Sequence, residues 1–433
     1  MELEELRNRR ESLLSIMPEK SVAILSSAYR NFRTRDVENP YRQNSDFLYM
    51  TGISEPNLLN MIYREDGKNH LILFRNNTTD HEKVWEGIRL DNNEILERYG
   101  FTGIYDYDEY QEKISTILEK KENIYVDDGV NKELDIFLSS KLPDIGSSKQ
   151  LNSLHPKNKI ALSPIIHKMR LVKSDYEVEL MKNAAQVSIL AHEQAMKKSK
   201  PGIYEYELDA EMQYIFNKNN MHFAYMSIVG GGNNACTLHY IKNNHLLKNN
   251  ELVLIDAAAE NKGYASDITR TFPVNGKFTK EQALIYDIVL NAQEKAIEFL
   301  RPGVTWDKVH EISVREIAQG LINLNILPDD LEMVINNELY KEFFMHKTGH
   351  WIGLDVHDVG DYEGIIFEPG MVITVEPGIY ISLSNKDVEK KWRGIGVRIE
   401  DDVLITSNGC EVITKKLAKK RDAIEAICSK KNE

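Results

Sequence analysis

The stretch of residues 345–360 constrains the chain most, because it holds three histidines: His346, His350 and His357. Their spacings of four and seven would place all three on one face of a helix, as in a metal-binding helix. Gly349 and Gly353 argue against a helix, since a glycine inside a helix costs about 1 kcal/mol relative to alanine. We therefore predict an extended segment whose alternate side chains point into one cavity. The alternative is an ordinary polar loop on the surface.

Length and charge narrow the classes of protein that fit. At 433 residues the chain is longer than a single hydrophobic core usually grows, so we expect two domains. A net charge of −13 argues against nucleic acid as a partner, since phosphate binding needs a basic face. The sequence has no run of eighteen apolar residues, so no membrane span is expected.

The cysteines and the N-terminus predict a cytoplasmic location. The three cysteines are odd in number and far apart, which indicates neither a disulfide framework nor a thiolate zinc site. The first residues are acidic and amphipathic, unlike a signal peptide.

Residues 1–165 alternate helical and strand patterns and are predicted to form an N-terminal α/β domain. A helix is predicted over 4–17, and buried strands over 21–26 and 69–74. The mixed aromatic and polar stretch 41–49 predicts a turn that enters a strand.

A stretch rich in Lys, Ser, Pro and Asn, residues 139–158, predicts a loop close to the domain boundary.

The second domain, residues 166–433, is predicted to be α+β, because its helices are segregated from antiparallel strands. Ser174 and Glu177 form a capping-box pattern that starts a helix reaching about Lys198. Further helices are predicted over 206–218, 279–300 and 305–324. Strands are predicted over 251–258, 265–274, 371–375 and 397–406.

Four carboxylates stand in or at the ends of these strand patterns: Asp256, Asp267, Glu376 and Glu400. A hairpin that turns at residues 261–263 would bring the two aspartates together. Buried carboxylates without partners are unfavourable, so such a pair normally shares a proton or binds a cation. Taken singly, each carboxylate is more simply explained as a strand-end group that caps a turn. Four of them together with one histidine favour a metal site.

The donor chemistry of this set predicts the metal. Oxygen ligands with a single imidazole suit a hard or borderline divalent ion, and we predict Mn²⁺. Five side chains can hold two ions when carboxylates bridge them, as in two-metal hydrolases, whose ions lie about 3.5–4 Å apart.

These residues resemble the metallopeptidases of the pita-bread fold, the family of methionine aminopeptidase, prolidase and aminopeptidase P. The likeness is closest to the bacterial Xaa-Pro aminopeptidases and covers essentially the whole chain, through the motifs at 42–47, 350–358, 375–380 and 394–401. It implies a pita-bread catalytic domain and the metal ligands Asp256, Asp267, His350, Glu376 and Glu400.

The same resemblance implies roles for the neighbouring residues. Glu376 is the expected general base. His239 and His357 are expected to be catalytic and to contact the substrate, and His346 is expected to line the substrate pocket. Arg398 stands two residues before Glu400, so it is expected from the spacing to share its strand face and to orient carboxylates, and it is also predicted to be a substrate-binding residue.

The expected activity is release of the N-terminal residue from peptides with proline in second position, by an enzyme with two metal ions. The N-terminal domain is expected to shape substrate access and to make the contacts of a homo-oligomer, a dimer or a tetramer. Two alternatives stay open. A prolidase that cleaves Xaa-Pro dipeptides uses the same ligands, and a non-catalytic peptide-binding protein on the same fold would be expected to lack some of them.

Overall fold

The computed structural model describes residues 2–142 and 156–429, and the chain divides into two compact units, Met1–Met169 and Arg170–Glu433. Most of the loop predicted over 139–158 therefore lies outside the described residues. Among those that are described, no helix has the length and apolar character needed to cross a membrane.

The first unit is built on a six-stranded mixed sheet in the order β4-β3-β2-β1-β5-β6. Its strands are β1 Ser21–Ser26, β2 Leu59–Glu65, β3 Lys68–Phe74, β4 Gly103–Tyr105, β5 Asn123–Tyr125 and β6 Asn158–Ile160. Strands β1, β2 and β3 pair antiparallel, whereas β4, β5 and β6 join the sheet in parallel. Its helices are α1 Leu3–Ile16, α2 Ser45–Thr51, α3 Asp80–Glu86, α4 Asn92–Tyr99, α5 Tyr110–Leu118, α6 Lys132–Lys141 and α7 Ser163–Leu171.

The predicted turn and strand at 41–49 is wrong, because this stretch leads into helix α2. The Asn44 side chain accepts a hydrogen bond from the backbone N–H of Phe47, which caps the start of the helix. Gly52, at φ 74°, ends the helix in the left-handed conformation.

The second unit combines long helices with small antiparallel sheets. Its helices are α8 Asp175–Lys198, α9 Glu205–Lys218, α10 Lys280–Phe299, α11 Trp306–Asn323, α12 Leu331–Asn336 and α13 Arg421–Ser429. Its strands are β7 His222–Phe223, β8 Ile228–Gly231, β9 Leu252–Asp256, β10 Ala259–Asn261, β11 Tyr264–Ala265, β12 Thr269–Pro273, β13 Val372–Val375, β14 Gly378–Ile381, β15 Ile395–Arg398, β16 Asp401–Thr406 and β17 Gly409–Val412. The sheets are β11-β10-β7, β12-β9-β8, β13-β16-β17 and the pair β14-β15.

Helix α8 starts as the sequence predicts. The Ser174 hydroxyl accepts a hydrogen bond from the Glu177 N–H, and the Glu177 carboxylate accepts one from the Ser174 N–H. The main core of the second unit lies where the long helices cover the inner faces of the strands, with Met212, Phe272 and Ile317 fully buried. Burying each such side chain stabilises the fold by about 1.5–3 kcal/mol.

Two of the predicted strands are interrupted, and each break places a carboxylate. The stretch 265–274 divides between β11 and β12, which leaves Asp267 in the connection. The stretch 397–406 divides between β15 and β16, which pair with β14 and β13 respectively, and Glu400 lies at the break. Because the apolar pattern runs through both breaks, it does not reveal them.

Candidate functional site

One cavity of about 320 Å³ in the second unit is lined by all nine side chains predicted for the site. These are His239, Asp256, Asp267, His346, His350, His357, Glu376, Arg398 and Glu400. They come from separate strands and loops, so the fold of the whole unit assembles the site.

The hairpin β10–β11 brings the two aspartates together, as predicted. Asp256 is the last residue of β9 and stands opposite Thr269 of β12. Tyr225 Oη lies 2.6 Å from Asp256 Oδ1 and is also within hydrogen-bond distance of Asp267. The Asp267 N–H donates to the buried carboxylate of Asp402 at 3.2 Å. Both aspartates are therefore fixed by neighbours on either side of the cavity.

His350 lies in a segment that forms no helix, as predicted, and that bridges to β13 through Trp351 and Ile373. Its backbone N–H donates to Thr374 Oγ1 at 2.9 Å, and the Thr374 N–H donates to the His350 carbonyl at 2.9 Å. A Cβ on Gly349 would stand 1.9 Å from the Thr374 carbonyl oxygen, so only glycine allows this close approach.

The imidazole of His350 is oriented by its own backbone. Nδ1 lies 2.9 Å from the Trp351 carbonyl oxygen, to which its N–H donates a hydrogen bond. This contact leaves Nε2 facing the cavity, 3.4 Å from Asp267 and 3.5 Å from Glu376. A histidine whose second nitrogen is held in this way is arranged as a metal ligand.

The two glutamates are held by backbone bonds that leave their carboxylates in the cavity. The Glu376 N–H donates to the Thr348 carbonyl at 2.7 Å, and the Glu400 N–H donates to the Thr269 carbonyl at 3.1 Å. The Thr269 hydroxyl donates to Glu400 Oε2 at 2.6 Å.

The clustered carboxylates perturb one another. Burial, reinforced by the neighbouring acidic groups, raises the pKa of Asp267 and raises that of Glu400 well above its usual value. Burial raises the pKa of Glu376 to about 7. Burial would lower the pKa of His350, but the charges of Asp267 and Glu376 raise it to about 9. The cluster therefore favours added positive charge, as protons or as a cation.

The donor set fits a divalent metal ion. Ligand atoms of Asp267, His350 and Glu400 lie within 4.8 Å of one another, and Asp256 and Glu376 face the same cavity. Four carboxylates and one imidazole supply hard and borderline donors, and a bound cation would relieve the repulsion that raises the carboxylate pKa values.

Arg398 is placed differently from the prediction. Strand β15 ends at Arg398, so this residue shares no strand face with Glu400. Its guanidinium instead donates to the carboxylate of Asp256 and, at 3.0 Å, to the Thr269 hydroxyl. Arg398 thus orients one aspartate directly and reaches Glu400 through Thr269.

The remaining predicted histidines surround the carboxylates. The rings of His350 and His357 have centroids 4.2 Å apart, and His239 is exposed at the cavity wall. His346 Nε2 lies 2.8 Å from the Tyr380 hydroxyl. Burial lowers the pKa of His346 to about 3 and also lowers the pKa of His357, so both rings are neutral near pH 7.

The segment that carries His350 and His357 is anchored by buried ion pairs. The Asp358 carboxylate lies 3.1 Å from Lys173 Nζ and also pairs with Arg170. All three side chains are nearly inaccessible to solvent. Since a buried charge is tolerated only with a partner, this cluster fixes the backbone next to His357.

The sequence analysis missed Tyr225 and Thr269. Tyr225 lies 31 residues before Asp256 and outside any apolar strand pattern, so no spacing points to it. Thr269 could have been found from a weak sequence signal: it lies two positions after Asp267 in the same strand pattern, and is therefore close to the carboxylates of the site.

Two family models match the chain. Residues 179–407 match metallopeptidase family M24, and residues 6–125 match the aminopeptidase P N-terminal domain.

Known proteins are similar over nearly the full length. The chain is 40% identical to the Xaa-Pro aminopeptidase of Escherichia coli, over 98% of this chain and 97% of that protein. The solved structure of proline aminopeptidase P II from Yersinia pestis has a TM-score of 0.94 and 41% identity, and the match covers 99% of this chain and all of that chain. A zinc-substituted E. coli aminopeptidase P in complex with product has a TM-score of 0.95 and 39% identity, and the match covers 100% of this chain and 99% of that chain.

Proposed function

The chain belongs to metallopeptidase family M24 as an Xaa-Pro aminopeptidase, and we propose that it uses two metal ions to release the N-terminal residue from peptides with proline in second position. The observation that supports this most is the single cavity in which five candidate metal ligands meet three histidines and an arginine.

We assign Asp256, Asp267, His350, Glu376 and Glu400 as the ligands and Mn²⁺ as the metal. When bound, divalent ions at this position would polarise the scissile carbonyl and increase the acidity of water. The preference for Mn²⁺ follows from four carboxylates against one imidazole. We propose two ions because the cavity offers five ligand side chains, which is more than a single ion needs from the protein.

Glu376 is the proposed general base. Its carboxylate faces the cavity among the other proposed ligands, where it can accept a proton from water and pass it on. The Thr374 hydroxyl lies 3.4 Å from Oε1 of this carboxylate and His346 Nδ1 lies 3.9 Å from Oε2, which limits its rotation. A base held in this way can transfer a proton from the attacking water to the leaving nitrogen.

The bond before proline sets a particular chemical requirement. Its nitrogen is a tertiary amide without N–H, and the ring fixes φ, so recognition by strand-like hydrogen bonds fails. The nitrogen must gain a proton as the bond breaks, and charge develops on the carbonyl oxygen. We propose that the neutral ring of His357 donates a hydrogen bond to one of these atoms, that His239 contacts the substrate beside them, and that His346 contacts the substrate in the pocket.

Peptide hydrolysis with defined metals tests the proposal. The chelated enzyme is expected to be inactive and to regain activity with two Mn²⁺ per chain, counted by elemental analysis. Full activity without detectable metal would contradict the metal assignment.

A series of peptides tests the specificity. Xaa-Pro-Yaa peptides should be cut at least as well as Xaa-Pro dipeptides, because an aminopeptidase recognises the free α-amine and leaves the groove beyond proline open. Acetylation of the N-terminus should abolish cleavage, whereas amidation of the C-terminus should have little effect. An enzyme that cuts the dipeptides and leaves the tripeptides intact is a prolidase.

We also propose a homo-oligomer, a dimer or a tetramer, with contacts from the first unit. Three apolar side chains in and just after helix α3 are largely exposed: Val84 at 83%, Trp85 at 76% and Ile88 at 90%. An apolar patch of this kind is typical of an interface. Light scattering of the purified chain measures the mass, and Ile88→Glu should shift it towards the monomer.

A further inference from the structure

Glu205, the first residue of helix α9, is a fully buried carboxylate whose hydrogen-bond donors come from the end of β8 and the loop that follows it. Oε1 accepts from the Gly231 N–H at 2.7 Å and from Asn234 Nδ2 at 3.0 Å. Oε2 accepts from the Tyr240 hydroxyl and from the His245 N–H, both at 2.8 Å. Four donors to one carboxylate, two on each oxygen, satisfy the buried charge.

The loop held by this carboxylate is the one that presents His239. After the short 3₁₀ turn Gly232–Cys236 it has no regular secondary structure up to β9, so its shape depends on side-chain anchors. Leu238 and His239 line the cavity. Two of the Glu205 contacts precede His239 in sequence and two follow it, so the carboxylate fastens both ends of the exposed segment.

The approach of the loop to Glu205 is close. A Cβ on Gly231 would stand 2.4 Å from a methyl carbon of Leu247 and 3.4 Å from Glu205 Oε1. The Glu205 N–H also donates to the His245 carbonyl at 3.0 Å, so backbone and side chain hold the same residue.

We propose that Glu205 is a positioning residue of the peptidase site, which acts by holding His239 at the cavity wall. The proposal rests on the proposed function, because it takes His239 as a residue that contacts the substrate. A buried carboxylate with a purely structural role would affect the whole unit, whereas Glu205 should affect catalysis through His239.

A double-mutant cycle separates these two roles. Glu205→Gln replaces one oxygen by an NH₂ group, which cannot accept from the loop, and Tyr240→Phe removes a single donor with little change of shape. We expect the first change to lower kcat/KM about tenfold and the second about threefold, since small displacements of a reacting group have large effects on rate. Metal content should stay at the wild-type value.

In the His239→Ala background the same two changes should alter kcat/KM less than about twofold, because the residue they act through is gone. Equal effects in both backgrounds would overturn the proposal. Glu207→Gln is the matched control, since Glu207 lies on the same first turn of α9 but is exposed, and its carboxylate accepts a hydrogen bond from the Tyr204 N–H. If Glu205→Gln fails to fold, Tyr240→Phe decides the question.

Hydrogen exchange gives a readout that needs no activity. In Glu205→Gln the amides of residues 231–245 should exchange at least about tenfold faster, while those of helix α10 remain as in the wild type. Unchanged exchange in the loop overturns the proposal even if the rate falls. A wild-type chain that cleaves no proline peptide refutes the proposed function instead, and the exchange result still shows whether Glu205 holds the loop.

Discussion

Removal of the metal should make the stability of this chain fall as pH rises from 5 to 8. Without a cation the cavity holds buried carboxylates that bind protons more tightly in the folded state than in the unfolded state. Glu376 gives the clearest case, because burial moves its pKa from 4.5 to about 7. Glu400 and Asp267 are shifted in the same direction.

The sign and size follow from proton linkage. Because the folded pKa of Glu376 lies above the unfolded value, its contribution to stability is fully present below pH 4.5 and is lost as pH rises through 7. A shift of this size corresponds to roughly 3 kcal/mol at 1.36 kcal/mol per pKa unit. His350 acts in the same direction, since its pKa is raised to about 9 and its contribution, present below pH 6.5, is lost as pH rises through 9.

Calorimetry of the chelated protein between pH 5 and 8 measures this loss. Glu376→Gln carries a neutral side chain of the same shape, so the metal-free variant should be more stable than the wild type at pH 8 by on the order of 2–3 kcal/mol and show a flatter profile. Glu363→Gln, at an exposed position, is the control and should leave the profile unchanged. Metal-free stability that stays constant or rises over this range would refute the reasoning.

The other predictions concern single side chains of the second unit. Asp267→Asn and Glu400→Gln should lower bound metal and activity together, as measured by elemental analysis and peptide hydrolysis; loss of activity with full metal would contradict their role as ligands. His357→Ala should keep both ions while kcat falls by on the order of 10², and loss of an ion would show that it is a ligand. Asp358→Asn should lower the free energy of unfolding by about 3–5 kcal/mol, because it removes the carboxylate partner of the buried Lys173. Adding Lys173→Met to that variant should recover part of the loss in denaturant unfolding.

The sequence predicted the family and the fold class, and both are confirmed. The family motifs are short and continuous in the sequence, which is why they could be recognised. Asp256 and Glu376, for example, each directly follow an apolar strand pattern, so the same few residues indicate both the strand and the acidic group at its end. The roles of the site residues stay predictions, although one cavity brings them together.

What the sequence could not predict depends on contacts between distant segments. The apolar pattern runs through Glu400 without a sign that the chain changes partner strand there. Tyr225 and Glu205 make hydrogen bonds to residues far away in the sequence, Asp256 and Gly231 respectively. No regular sequence spacing predicts such tertiary contacts. Helix α2 is a different case, because its Asn44 cap and Gly52 are residue types that commonly begin and end a helix.

The way the ligands are held bears on how proteins of this architecture can evolve. The backbone N–H of each of the two glutamates proposed as ligands makes a hydrogen bond that does not involve the carboxylate, as Glu376 does with the Thr348 carbonyl. Replacing one of these glutamates by glutamine is therefore expected to keep that backbone contact and to remove a charge that repels its acidic neighbours. Loss of metal is then accompanied by a gain in metal-free stability, the usual opposition between activity and stability. Without selection for turnover, substitutions that neutralise this acidic cluster would therefore be favoured by stability.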